Sequence, residues 1–154
     1  MSQLLIVGTL AAALLGGGHT GGRADRDGLT WSRDDAPDRT ARLVLAGPEA
    51  DSVRLVLECT PGAGGVDVIV RGLRDDGAVV ELHSGKTWNR YPGVGAPDDA
   101  VDGVFNIRVR LSAADPVLAR LADTGQLRVV LGERRIHAPN SFAPAHDFLK
   151  VCAR

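Results

Sequence analysis

Apolar and polar residues alternate in steps of two along much of this chain, most cleanly over residues 52–60. Val53, Leu55, Leu57 and Cys59 fall on one side, with Arg54, Val56 and Glu58 on the other. Successive side chains of a strand point to opposite faces, so this period predicts a β-strand with one buried and one mostly wet face. Cys59 lands on the core side. The turn PGAGG follows, and residues 66–71 return as a partner strand with Val66, Val68 and Val70 inward. Similar short runs predict strands at 29–32, 41–45, 78–83, 87–90, 104–111, 126–131 and 134–138. Turn-forming clusters separate them: DDAPDR at 34–39, Gly47-Pro48, Leu73 to Gly77, and Gly132-Glu133. Residues 84–103 are less regular and read as the short 87–90 strand followed by a loop.

Two segments change period. Asp115 before Pro116 predicts a helix start, because the carboxylate can accept from free amides and proline lacks the N–H that would go unpaired there. Val117, Leu118 and Leu121 give the apolar stripe, and Gly125 the stop. Asn140 or Ser141 is placed to cap a final helix in which Phe142, Ala145, Leu149 and Cys152 share one face, with Phe148 beside it. Strand runs joined by short turns favour antiparallel pairing. The expected fold is therefore mainly β, antiparallel and sandwich-like, with two short helices, one at the C-terminus. It forms a single β-rich domain over residues 25–154.

The N-terminal pattern is different. Residues 4–15 (LLIVGTLAAALL) are unbroken by charge, and GGGHTGGRA follows. An apolar stretch of this length before small residues predicts a secretory signal peptide over residues 1–24. It is too short to span a bilayer, which takes about 20 apolar residues. The competing reading retains the segment in the domain as a strand or helix. Export fits the only two cysteines, Cys59 and Cys152, since disulfides persist outside the reducing cytosol. The expectation is a bridge from strand to terminal helix in a periplasmic or secreted protein. The alternative is two separate buried thiols.

Composition narrows function mainly by exclusion. With 154 residues, 44% hydrophobic and 24% charged, the chain can fold as one domain, and its net charge of −1 offers no long-range attraction to nucleic acid. Aromatics are only 4%, so aliphatic side chains must build the core. Ser84-Gly85-Lys86-Thr87 imitates the end of a phosphate-binding loop, but that loop needs a glycine where Val80 stands and a helix where Trp88 to Pro92 follows. Gly8 lacks the spacing of a dinucleotide-binding turn. The four histidines (His19, His83, His137, His146) lack metal-ligand spacing, and two cysteines are too few for a structural zinc site. No G-x-S-x-G elbow exists, and Ser84 beside His83 would point to the opposite face of a strand. A non-enzymatic protein without cofactor, metal site or catalytic residues is expected.

Binding character concentrates in His83, Ser84, Lys86, Trp88, Arg90 and Tyr91, which bring two of the chain's three Trp and Tyr residues within four positions. Rigid aromatic and arginine groups dominate interface energetics. A second candidate is a basic row of Arg108, Arg110, Arg128, Arg134 and Arg135, provided their strands are neighbours.

The strand and turn LVLECTPGAGGVDV, the Ser84-Gly85 segment, DPVLARLADTGQLRV and the terminal Phe148-Leu149-x-x-Cys152 resemble a group of small exported proteins of Alphaproteobacteria. A cysteine in a strand with another near the C-terminus also resembles periplasmic accessory proteins of type VI secretion of the VasI type. SGKTWNRY is similar to the Ser-Gly motif of C-type lysozyme inhibitors of the MliC kind. These resemblances imply an exported, envelope-associated binding protein with an envelope protein partner. An inhibitor of a cell-wall lytic enzyme is the alternative, and a hydrolase whose site assembles only in the fold is a further one.

Overall fold

The computed structural model describes residues 28–35, 40–49, 52–71, 79–98 and 102–154. The leader at 1–24, residues 36–39 of the DDAPDR turn and the turn at 73–77 lie outside the described residues. Ten strands and two helices run in the order β1 (Thr30–Asp35), β2 (Ala41–Ala46), β3 (Val53–Cys59), β4 (Gly65–Arg71), β5 (Val79–Ser84), β6 (Thr87–Pro92), β7 (Val94–Pro97), β8 (Phe105–Ser112), α1 (Pro116–Thr124), β9 (Leu127–Leu131), β10 (Arg134–Ala138) and α2 (Phe142–Cys152). A six-stranded sheet has the order β1-β2-β3-β4-β8-β7 and a four-stranded sheet the order β10-β9-β5-β6. Every pairing is antiparallel.

The expected alternation sets the inner faces. Leu43 and Leu45, Leu55 and Leu57, Val66, Val68 and Val70, and Ile107 and Val109 are buried from the larger sheet; Val80, Leu82, Val129 and Ile136 are buried from the smaller. With the helices they form one apolar core. Trp31 is its largest buried side chain, and its Nε1 donates to the Pro139 carbonyl at 3.1 Å, tying β1 to the entrance of α2. The second helix touches β1 and β2, the first touches β5 and β6, and the two helices lie against each other. The helix pair thus links the two sheets.

Three details depart from the sequence reading. The first strand continues through Asp34 and Asp35, which the sequence places in a turn. The loop after 90 contains β7, whose four residues are all exposed and carry no alternation to betray a strand. Its edge position next to β8 tolerates Pro97, which has no N–H to give. Gly93 separates β6 in one sheet from β7 in the other. In α2 the buried face is Ala145, Phe148, Leu149 and Cys152; Phe142 is exposed and stacks on His146 at 5.3 Å.

The ends of α1 follow the sequence. Asp115 accepts from the Val117 amide at 2.8 Å, and Gly125 closes the helix at φ 66° with its N–H on the Leu121 carbonyl. Ser141 occupies the N-cap position of α2, yet its side chain makes no cap bond; its amide instead donates to the Gly125 carbonyl at 3.0 Å. Gly125 therefore touches both helices, and a Cβ there would meet the Phe142 amide nitrogen at 2.3 Å. Cys59 and Cys152 form a disulfide with their α-carbons 5.8 Å apart. It joins the last residue of β3 to the last of α2, both inside the core.

Two stability measurements follow from these links. The C59A/C152A double variant should lose up to about 4–5 kcal/mol in urea unfolding, the chain-entropy figure for a closed loop of this length. Gly125→Ala should cost about 2–4 kcal/mol, since left-handed backbone strain adds to an overpacked contact; unchanged unfolding midpoints would contradict either account.

Candidate functional site

The β5–β6 hairpin places the residues singled out from sequence. Its turn is Gly85-Lys86, with Gly85 at φ 58°, a left-handed conformation that suits tight hairpins. Alternation then divides the hairpin into two groups. Ser84 points inward, is fully buried, and lies 3.2 Å from Thr124 Oγ1 at the end of α1. Tyr91 also turns inward, rests against the core, and its hydroxyl donates to Asp115 Oδ1 at 2.8 Å. Lys86 sits exposed in the turn. His83, Trp88 and Arg90 remain on the outer face. The six residues are thus contiguous in sequence but do not form one surface.

What the outer face does assemble is a network. His83 and Trp88 are directly opposite across the hairpin, and their rings stack 5.6 Å apart at 15°. The Arg90 guanidinium lies 5.8 Å from the Trp88 ring centre, within cation–π range. Arg90 Nε also donates to Glu81 Oε1 at 2.8 Å. His83 bridges the remaining two members: Arg128 Nη2 is 3.0 Å from its Nδ1, and Glu81 Oε2 is 3.3 Å from its Nε2. A guanidinium can only donate, so Nδ1 accepts and Nε2 carries the hydrogen given to Glu81. The bond from His83, and after it that from Arg90, holds the Glu81 carboxyl below its ordinary value of 4.5. Trp88 is 55% exposed but contacted on both sides.

Register extends this surface over all four strands. His137, Arg128, His83 and Trp88 are successive cross-strand partners, and Arg135, Val130, Glu81 and Arg90 form the adjacent row. A shallow depression of about 290 Å³ next to the first row is lined by His83, Gln126, Arg128, His137 and Asn140, among others. Glu81 was missed in the sequence reading. Its position two residues before His83 on the same strand face was the available signal, but its link to Arg90 required the hairpin register.

The expected basic row does not form as one surface. Arg108 and Arg110 belong to the larger sheet, whereas Arg128, Arg134 and Arg135 belong to the smaller. On the larger sheet Arg110 meets Asp67 at 2.9 Å, and Arg108 meets Asp67 at 3.3 Å and Glu58 at 3.4 Å. Arg71 pairs with Asp98, which also accepts from Asn106. The arginines of that face are neutralised by its carboxylates.

A larger cleft, about 700 Å³, lies beside edge strand β10. It brings Glu49, Ser52 and Arg54 from the β2–β3 region to Arg134, Arg135 and His137. Ser52 Oγ donates to the Glu49 backbone carbonyl. Among the described residues, His137 has no hydrogen bond to either of them, and no three His, Cys, Asp or Glu side chains gather into a group that could hold a metal ion. No helix among the described residues is long and apolar enough to cross a membrane. No protein-family model, curated protein or solved structure matches this chain.

Tyr91, the single tyrosine, offers a pH readout. Burial first, then the Asp115 carboxylate, push its phenol well above the ordinary value of 10. The native state therefore holds the proton that the unfolded state releases. This contribution to stability is complete below about pH 10 and declines as pH rises toward the native value. The urea midpoint should fall more steeply with alkali in the native protein than in Tyr91→Phe, and phenolate absorbance should appear only with unfolding.

Proposed function

We propose that this is an exported, non-enzymatic binding protein of the bacterial envelope, which engages a protein partner through the outer face of β5, β6 and β9. The observation that carries this reading is Trp88, more than half exposed and yet fixed between the His83 ring and the Arg90 guanidinium. An exposed aromatic anchor that is already ordered gives up little side-chain freedom on binding, and Trp and Arg are the residue types that most often supply binding energy. The flanking Arg90 and Arg128 suit a partner surface in which carboxylates surround an apolar pocket.

Export is supported by the Cys59–Cys152 bridge. A bond that holds a terminal helix to the core is useful only where it stays oxidised, which favours the periplasm or the exterior. Inhibition of a cell-wall lytic enzyme is the nearest alternative within binding, since a hairpin bearing Trp88 and Arg90 could enter a substrate groove. The hydrolase reading receives less support. At His83 the serine lies on the opposite sheet face, and in the cleft the Ser52 hydroxyl is directed to the Glu49 carbonyl rather than to His137.

The natively produced protein, immobilised, should retain an envelope protein from detergent-solubilised extract. The W88A/R90Q variant should lose at least tenfold of that retention while keeping the wild-type unfolding midpoint, because both side chains are exposed. Equal retention by wild type and variant would remove this face as the binding surface. Loss of lytic-enzyme inhibition in the same variant would select the inhibitor reading.

A further inference from the structure

The cleft beside β10 is separate from the Trp88 network and has its own electrostatic character. One wall is the β2–β3 connection with Glu49 and Ser52 and the start of β3 with Arg54; the other is β10 with Arg134, Arg135 and His137. Buried Leu29 and Ile136 also line it. Its volume of about 700 Å³ falls within the roughly 300–1,000 Å³ range of small-molecule sites.

The placement of Arg54 is a consequence of backbone irregularity. Leu45 pairs with Leu55, and Ala46 pairs with Val53, so Arg54 is an extra residue with no counterpart on β2. A bulge of this kind bends the strand and redirects a side chain. Here the redirected group lines a cleft whose opposite wall already bears a guanidinium. Arg134 Nη1 donates to the Arg71 carbonyl at 3.2 Å, which fixes that group in a partly buried position. Burial, and after it the charge of Arg54, lower the Arg134 pKa. The two cations therefore feel each other across the cleft. Neither Arg54 nor Arg135 forms an ion pair among the described residues, in contrast to Arg42, Arg71, Arg90, Arg108 and Arg110. Glu49 is the one carboxylate side chain in the lining.

Like charges held close in a partly dry site oppose folding until an anion enters between them. Guanidinium groups bind carboxylate and phosphate oxygens through paired, charge-assisted hydrogen bonds. We propose that the β10 cleft is a binding site for a small ligand with two anionic oxygen groups, carboxylate or phosphate, one held between Arg54 and Arg134 and the other by Arg135 and His137. The shared chemistry is a dianion of small-molecule size, and Ser52 and the apolar floor would contact the part that joins its charged ends.

The test titrates the purified oxidised protein with inorganic pyrophosphate and with citrate, at constant ionic strength, by calorimetry and thermal unfolding. At least one probe should bind saturably and raise the unfolding temperature, and sodium chloride alone should not. Pyrophosphate binding alone assigns phosphate ligands, and citrate binding alone assigns carboxylates. R54Q, at an exposed position, should weaken binding at least tenfold without altering the fold, and R134Q should do the same. R90Q, on the Trp88 surface, should bind like wild type. Absence of saturable binding by both probes, or undiminished binding in R54Q, would overturn the proposal, and neither result would bear on the partner surface at Trp88.

Discussion

The covalent link between Cys59 and Cys152 is the constraint on which the rest of the architecture depends. It fastens the last turn of α2 to the inner face of the larger sheet, and α2 in turn lies against α1, which rests on the smaller sheet. The Gly125 carbonyl, bonded to the Ser141 amide, fixes the crossing from one helix system to the other. Trp31 closes the same corner through Pro139. With only 4% aromatic residues, the core is built from aliphatic groups that each contribute modestly. One cross-link in the middle of such a core supplies a large share of a net stability that is typically about 5–15 kcal/mol.

This arrangement leaves two outer faces with different electrostatics. The larger sheet answers its arginines with Glu58, Asp67 and Asp98 on neighbouring strands. On the smaller sheet Glu81 is shared between Arg90 and His83, and His83 in turn accepts from Arg128. Its cations are therefore less fully compensated, and an indole lies among them. The cleft at β10 continues the same imbalance around the sheet edge, with Arg54 arriving from the other sheet. Chemistry available to a partner or ligand is concentrated on one side of the molecule, although the net charge of the chain is only −1.

The candidate surface illustrates how alternation constrains function. His83 and Ser84 are adjacent in sequence, but one lies under an exposed indole and the other is enclosed beside Thr124. Tyr91 follows Arg90 and serves α1 through Asp115 rather than the surface. A strand cannot offer consecutive side chains to one ligand, so a binding face on a sheet has to be collected across strands.

The sequence by itself determined the amphipathic strands, the capped first helix with its Gly125 stop, and the inward position of both cysteines, because these depend on periods and dihedral preferences within a few residues. It also exposed Trp88 and Arg90 as neighbours on one strand face. Only the tertiary structure decided that β7 exists, since an edge strand exposed throughout has no hydrophobic period. Tertiary packing also turned Phe148 rather than Phe142 into the core. Strand order separated the arginines expected in one row, and register brought Arg128 to His83 across 45 residues and a bulge brought Arg54 to face β10. Each of these rests on which strands pair and how far they are shifted, and local sequence does not encode that offset.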